Sequence, residues 1–223
     1  MDTSTIVEIA AWTLVMAGGS ALFFVTQMAI GKRVRGPFPL SAGIVLLVST
    51  VISLLAIHNE RLLGALQRNP GDLDAGKFWK LFTPLLIQGD GWAGLGFNIP
   101  LFILVAFVAE RVYGRRRFLL MYFIPGAIGQ WAGFAWNGAG GGNSVAIAGL
   151  VGGFFMLVLV HPRRVPRVAS IMAGLGLAAA LVMSLGMEMH GPPVLAGAIL
   201  GYVLNRASPM LPHHADPPQP PAL

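Results

Sequence analysis

The chain of 223 residues is 55% hydrophobic and 11% charged, contains no cysteine, and has a mean hydropathy of +0.71. Soluble domains carry about 25% charged residues, so this composition argues against a soluble protein. Without cysteine, disulfide bonds and thiol chemistry are excluded. The formal net charge is +6, but the basic residues cluster at the ends of apolar segments, and we therefore expect no nucleic-acid partner.

Seven apolar segments of helical length follow one another along the chain. Segments of about 20 apolar residues can cross a bilayer as helices, so they predict an all-α polytopic membrane protein with seven spans. The last segment is short, but it begins with proline, which is favoured in the first turn of a helix. The predicted spans are Thr5–Ile30, Phe38–Ile57, Trp92–Val112, Phe118–Trp136, Ser144–Val160, Ala169–Met187 and Pro192–Arg206.

Basic residues collect on one side of this seven-span arrangement. By the positive-inside rule that side is cytoplasmic, so the N-terminus is expected outside and the C-terminus inside the cell. We accordingly expect an integral protein of a bacterial inner membrane. Eleven of the 15 Lys and Arg residues define the cytoplasmic side: Lys32, Arg33, Arg35, Arg111, Arg115, Arg116, Arg117, Arg163, Arg164, Arg167 and Arg206.

A glycine-rich loop leads into the fifth predicted span. Gly140, Gly141 and Gly142 precede Asn143 and Ser144, and an apolar run follows. Glycines let the backbone approach another chain closely, and a helix start offers unpaired N–H groups and a positive dipole end. Such a site suits a serine nucleophile and the oxyanion that its attack creates. The alternative interpretation is that Asn143 or Ser144 only caps the helix.

Several segments, in order from about Gly76 to Gly201, resemble motifs of the rhomboid family of intramembrane serine proteases. The segments resemble, in turn, the W-R-x-x-T segment, the end of the H-x-x-x-N motif, the E…G…F junction, the G-x-S-G nucleophile motif and the A-H-x-x-G-x-x-x-G pattern. They are Lys77-Phe78-Trp79-Lys80-Leu81-Phe82-Thr83-Pro84, Phe97-Asn98, Glu110-Arg111 with Gly114 and Arg117-Phe118, Gly142-Asn143-Ser144 with Gly149, Gly152 and Gly153, and Ala196-Gly197 with Gly201.

The resemblance implies a fold and an activity. The fold would be a rhomboid-like six-helix core at residues 37–206, preceded by one extra N-terminal transmembrane helix at residues 1–36. A disordered proline-rich cytoplasmic tail would follow at residues 207–223. The family cuts transmembrane segments of other proteins with a Ser–His dyad and without cofactor or metal. The implied partners are membrane lipid and the transmembrane helix of another membrane protein.

The chain departs from the family pattern at three positions of the expected active site. The glycine that follows the nucleophile is Val145, whose β-branched side chain restricts the backbone. The catalytic histidine falls at Val194, and the second-helix histidine that supports the oxyanion falls at Gly94. Ser144 and Asn98 are retained, so a nucleophile is present without either active-site histidine.

His190 is the one histidine placed to replace the missing base. It lies four residues before Val194, which is one helical turn and the same helix face. Pro192 and Pro193 argue that the helix starts after His190. His190 would then lie in a loop, where it could fold over Ser144 or only face water.

Two functional hypotheses follow from these departures. The first is a pseudoprotease that binds transmembrane helices of a partner membrane protein, because an unactivated serine hydroxyl is a weak nucleophile. The alternative is an active intramembrane serine endopeptidase that uses Ser144 with a relocated base, His190, or with a water and Asn98. No set of Cys, His, Asp and Glu has the spacing of metal ligands, and we expect no cofactor.

Two asparagines are candidates to support the site. Asn143 lies beside the serine, and Asn98 lies deep in the third predicted span. Asn98 would either hold the Ser144 loop in place or donate to a substrate carbonyl or an oxyanion.

Small residues predict where helices approach closely. Gly149 and Gly153 form one face on the Ser144 helix, and Gly197 and Gly201 form another on the last helix, so these two helices are expected to touch. A stretch of small residues at 18–21 makes the first helix a candidate docking surface for a partner.

Overall fold

The structure of the protein is a computed structural model that describes residues 2–29, 38–136 and 138–207. Within these ranges it contains eight α-helices and no β-strand. The predicted cytoplasmic tail after Ala207 and the basic residues Lys32, Arg33 and Arg35 lie outside the described residues. The helices are α1 (Thr3–Ala29), α2 (Leu40–Ile57), α3 (Glu60–Leu66), α4 (Gly91–Tyr113), α5 (Arg115–Trp136), α6 (Ser144–Val160), α7 (Arg167–Leu185) and α8 (Gly191–Ala207).

The prediction of an all-α polytopic membrane protein is confirmed. In the described part of the chain, α1, α2, α4, α5 and α7 are long and apolar enough to cross a membrane. The other two predicted spans correspond to α6 and α8, which have 17 residues each and are therefore about 25 Å long. The seven predicted spans thus fall on seven helices, of which five have full spanning length. The sequence did not predict α3, which lies in the loop between α2 and α4.

The short helix α6 lies at the centre of the bundle, where α1, α4, α5, α7 and α8 all pack against it. Its closest neighbour is α8. A Cβ atom added to Gly197 would overlap the main chain of Gly149, and one added to Gly201 would lie 3.1 Å from the Cα of Gly153. The two helices therefore meet backbone to backbone, which fixes the position of the α8 start relative to the α6 start.

The extra N-terminal helix α1 packs against α7 and α6. Ala17 and Ala21 are buried, and a Cβ atom on Gly18 would lie 3.1 Å from Cγ1 of Val151 in α6. The hypothesis that this small-residue stretch docks a partner is therefore wrong for Gly18 and Ala21, because both face the protein's own core.

Glu110, near the end of α4, holds the start of α2. Its carboxylate accepts hydrogen bonds from the backbone N–H groups of Ser41 (3.1 Å) and Ala42 (2.6 Å), and it lies 3.7 Å from Nε of Arg115. The first N–H groups of a helix have no partner within the helix, and the cap residue of α2, Pro39, supplies no side-chain bond. Glu110 thus acts as a cap for a neighbouring helix.

The loop between α2 and α4 is ordered by side chains of its W-K-x-x-T segment. Lys80 is buried and its Nζ donates to the carbonyl oxygens of Gly64 (2.9 Å) and Gln67 (2.6 Å), while Thr83 Oγ1 donates to the carbonyl of Leu66 (2.8 Å). These bonds tie the end of α3 to two 3-10 turns at residues 78–86. The loop therefore has a defined conformation above the Ser144 loop.

Candidate active site

Ser144 is the first residue of α6, and the glycine-rich loop before it is held by the loop between α2 and α4. Gly142 donates its N–H to the carbonyl of Pro84, and Gly89 donates to the carbonyl of Gly141, both at 2.9 Å. A Cβ atom on Gly141 would lie 2.9 Å from the Ile87 side chain. The glycines thus allow two loop segments to lie side by side, and this contact positions Ser144.

The Ser144 hydroxyl contacts the one histidine that the sequence singled out. Its Oγ lies 3.0 Å from Nε2 of His190. Asn143 occupies the N-cap position of α6, but its side chain makes no capping hydrogen bond. The structure therefore brings Ser144 and His190 together at hydrogen-bond distance, 46 residues apart in the chain.

A carboxylate that the sequence analysis did not single out completes this arrangement. Oε1 of Glu188 lies 2.7 Å from Nδ1 of His190, and its Oε2 accepts the backbone N–H of His190 at 2.8 Å. An ionised carboxylate can only accept, so Nδ1 is the protonated nitrogen, and in the neutral ring Nε2 is left to accept the Ser144 O–H. Two hydrogen bonds thus link the side chains of Ser144, His190 and Glu188.

Glu188 is held in its ionised form by these contacts. Burial raises the pKa of this loop carboxyl, but the hydrogen bond from the His190 ring, the His190 charge and the backbone N–H groups of His190 and Met189 outweigh it, so the pKa lies below its usual value. The side chains of His190 and Glu188 are 29% and 27% exposed.

The end of α7 sets the direction of the Glu188 side chain. Met187 has a φ of +57°, its N–H donates to the carbonyl of Ser184, and the N–H of Glu188 donates to the carbonyl of Met183. These two bonds around a left-handed residue form a Schellman motif, in which glycine is the usual left-handed residue. Position 187 is a methionine and not the glycine that usually marks such a turn, so the sequence did not predict this turn.

His190 lies one helical turn before Val194, the residue at which the resemblance placed the catalytic histidine. Val194 is fully buried and lies with its backbone against Gly152 of α6. His190 immediately precedes α8, as the prolines indicate, and its ring extends back to Ser144. It is thus a loop histidine, but one that is bonded to the serine.

Arg68 anchors the glycine-rich loop and the segment before His190. This arginine is only 1% exposed. Its Nε donates to the carbonyl of Gly138 (2.7 Å), its Nη1 to Oε1 of Gln130 (2.6 Å) and its Nη2 to Sδ of Met189 (3.2 Å). Its backbone also pairs with Gly140 in both directions. Burial lowers the pKa of Arg68, but a guanidinium stays charged in proteins. Arg68 was not predicted from the sequence.

The two asparagines proposed as supports lie in different surroundings. Asn98 does not bond to the Ser144 loop; its Nδ2 donates to Oε1 of Gln88 at 2.7 Å. The Oδ1 atoms of Asn98 and Asn143 are buried without a hydrogen-bond partner among the described residues. Gln88 is a further buried polar residue that the sequence analysis did not identify.

The remaining histidines of the described ranges lie elsewhere. His58 packs edge-on against Trp92, and Nδ1 of His161 is bonded to the carbonyl of Leu157. Within the residues that the structure describes, no group of three or more His, Cys, Asp and Glu side chains could hold a metal ion.

Comparisons with known proteins find similarity over the same region. The family model of the Rhomboid domain matches residues 75–207, which include Ser144, Glu188 and His190. "Putative rhomboid protease YdcA" of Bacillus subtilis (strain 168) is 36% identical over 134 residues, which are 58% of this chain and 67% of YdcA. "Rhomboid protease GluP" of the same organism is 36% identical over 85 residues, which are 38% of this chain and only 17% of GluP.

Proposed function

This chain belongs to the rhomboid family of membrane proteins, and we propose that it is an active intramembrane serine endopeptidase with Ser144 as nucleophile and His190 as general base. The observation that carries the proposal is the 3.0 Å contact between Ser144 Oγ and His190 Nε2. General base catalysis is worth about 10²–10⁴ in rate. His190, one helical turn before Val194, would therefore supply the general base that a valine cannot provide.

The reaction would proceed through an acyl-enzyme. Ser144 Oγ attacks the carbonyl carbon of the scissile peptide bond while His190 Nε2 takes the hydroxyl proton. The tetrahedral intermediate collapses, the C–N bond breaks, and His190 gives its proton to the leaving amine. Water then adds to the Ser144 ester and gives a proton to His190, and the ester C–O bond breaks as that proton returns to Ser144 Oγ.

The proposed substrate is a transmembrane helix of another membrane protein, reached through the lipid, and the reaction needs no cofactor. Ser144 lies at the start of α6, whose opposite end is followed by Arg163 and Arg164, and His190 directly precedes α8, whose opposite end carries Arg206. By the positive-inside rule these basic residues face the cytoplasm. The site would then open on the outer side of a bacterial inner membrane, with the N-terminus outside and the C-terminus in the cytoplasm.

A pseudoprotease that binds partner helices without cutting them is the second candidate. It is favoured by Val194 and Gly94, which leave both family histidine positions without a titratable group. The two candidates differ in whether Ser144 is chemically activated, and this difference can be measured directly.

The deciding experiment is labelling of the full-length protein in detergent with a fluorophosphonate probe, followed by cleavage assays in liposomes. We expect labelling in the wild type and its loss in Ser144→Ala and His190→Ala. Two matched controls should label normally. They are Ser170→Ala on α7 and His58→Ala at the end of α2. Absence of labelling in folded wild-type protein would refute the protease and favour the binding protein.

A further inference from the structure

The contact between Ser144 and His190 joins the first residue of α6 to the residue just before α8. The closest backbone approaches between these two helices lie deeper in the bundle, at Gly149 and Gly152 of α6, more than one helical turn from the serine. A misplacement of about 1 Å at a reacting centre can cost about 10²-fold in rate. The residues that pack around the first turns of α6 and α8 therefore decide how well the pair is aligned.

Val145, the residue next to the nucleophile, packs where three helices meet. Its side chain is fully buried. A Cβ atom added to Gly129 of α5 would overlap Cγ1 of Val145, and the same atom would lie 3.0 Å from Cγ and 3.2 Å from Cδ of Pro193 in α8. The side chains of Val145 and Pro193 thus border the same point, which a side chain at position 129 would occupy.

Both side chains at this point are stiff. A valine in a helix is held near one side-chain rotamer by its two γ carbons, and the ring of a proline is fixed to its own backbone. A change at this contact therefore has to move the backbone of α6 or α8. Ser144 directly precedes Val145, and His190 precedes Pro193 by three residues, so such a movement reaches both partners of the hydrogen bond.

Glycines of α5 provide the space that the start of α6 needs. The resemblance to the family placed a glycine after the nucleophile, where this chain has the larger Val145. Gly129 accommodates this side chain, and a Cβ atom on Gly126, nearly one turn earlier in α5, would lie 3.1 Å from Cβ of Ala146. The first two residues after Ser144 thus both face glycines of α5, and added volume on either side would displace the α6 start.

We propose that Val145 is a positioning residue, which holds the starts of α6 and α8 at the separation that lets Ser144 Oγ contact His190 Nε2. Gly129 provides the space for its side chain, and Pro193 is its contact on α8. The inference rests on the proposed function, because alignment of the pair affects turnover only if Ser144 reacts. Val145 acts through its neighbours and does not itself touch the reacting atoms.

An exchange of side-chain volume between positions 129 and 145 is the sharpest test. Gly129→Ala adds a methyl group against Val145, Val145→Ala removes both γ carbons, and a double variant combines the two changes. Cleavage of a transmembrane substrate should be measured in liposomes with the full-length protein, together with the fluorophosphonate labelling rate and the unfolding temperature. We expect kcat and the labelling rate to fall about 10²-fold in Gly129→Ala and about 10-fold in Val145→Ala, with KM within about twofold. The double variant should recover to within about threefold of the wild type, because volume-conserving exchanges are tolerated best.

Val158→Ala and Gly96→Ala are the matched controls. Val158 is also fully buried in α6, but it lies about 20 Å along the helix from Val145. Val158→Ala should lower the unfolding temperature as Val145→Ala does and retain wild-type kcat. Nothing lies within 4 Å of a Cβ atom added to Gly96 of α4, so Gly96→Ala should leave both quantities unchanged.

Wild-type kcat in both single variants of an active, Ser144-dependent enzyme would overturn the positioning role while leaving the protease intact. A loss of kcat that the double variant does not recover, or an equal loss in Val158→Ala, would also overturn it, because the loss would then follow stability and not alignment. If Gly129→Ala does not fold, Val145→Ala and the double variant decide by the same criteria. Absence of any Ser144-dependent turnover in the wild type would instead refute the proposed function, and the positioning role with it.

Discussion

The Glu188 carboxylate binds His190 twice, with Oε1 at 2.7 Å from Nδ1 of the ring and Oε2 at 2.8 Å from the backbone nitrogen. The contact to the ring sets the tautomer, since an ionised carboxylate accepts a hydrogen bond from Nδ1–H and leaves Nε2 of the neutral ring unprotonated. The contact to the backbone holds the carboxylate beside the ring. The proposed protease therefore has an orienting carboxylate two residues from its base, in the turn after α7 that contains the left-handed residue Met187.

Glu188→Gln should lower kcat by roughly 10²-fold or more, because the amide can present its N–H to the ring and favour the wrong tautomer. The measurement is cleavage across pH 5–9 with fluorophosphonate labelling in parallel. Glu60→Gln, at the start of α3, is the control. Wild-type kcat and labelling rate in Glu188→Gln would contradict the orienting role.

The same carboxylate makes stability depend on pH in a defined direction. The folded-state pKa of Glu188 lies below its usual value, so its stabilisation is present above about pH 4.5 and is lost as pH falls through the folded-state pKa. Unfolding temperatures of the wild type and Glu188→Gln should therefore differ most at neutral pH and converge at acidic pH. A difference that grows on acidification would show that the pKa is raised and would contradict this prediction.

The architecture was accessible from the sequence because long apolar segments and glycine spacing report directly on spans and close helix contacts. Each predicted span matches a helix to within about three residues. Ser144 and His190 could also be chosen from residue type and spacing. Their contact could not, since it depends on how α6 and α8 are placed by the backbone approach at Gly149 and Gly197.

Glu188, Gln88 and Arg68 were missed for a related reason. Each lies in a loop, where the direction of a side chain depends on turn geometry that apolar periodicity does not encode. The Glu-x-His spacing before α8 was the available signal for Glu188, but the turn needs a left-handed residue at a methionine, and L-residues rarely adopt that conformation.

Arg68→Met should destabilise the fold and reduce activity together. The substitution leaves Oε1 of Gln130 and the carbonyl of Gly138 without their buried donor, and each such loss costs about 1–3 kcal/mol. Arg68→Lys should retain only part of the stability and activity, because a lysine ammonium group cannot reproduce the three hydrogen bonds that the guanidinium makes. Unfolding temperature and labelling rate measured together test the prediction. Wild-type stability in Arg68→Met would show that the anchor is dispensable.

The contact between α6 and α8 should tolerate no side chain at Gly197. A Cβ atom there would overlap the main chain of Gly149, so even Gly197→Ala must push the helices apart, at a cost of about 1–3 kcal/mol. The displacement would also move the start of α8, and labelling of Ser144 should slow because His190 moves with it. Gly174→Ala on α7 is the matched control: nothing lies within 4 Å of its added Cβ atom, and it should be neutral or stabilising by about 0.5–1 kcal/mol. Equal unfolding temperatures for the two alanine variants would mean that the backbone contact does not hold the site together.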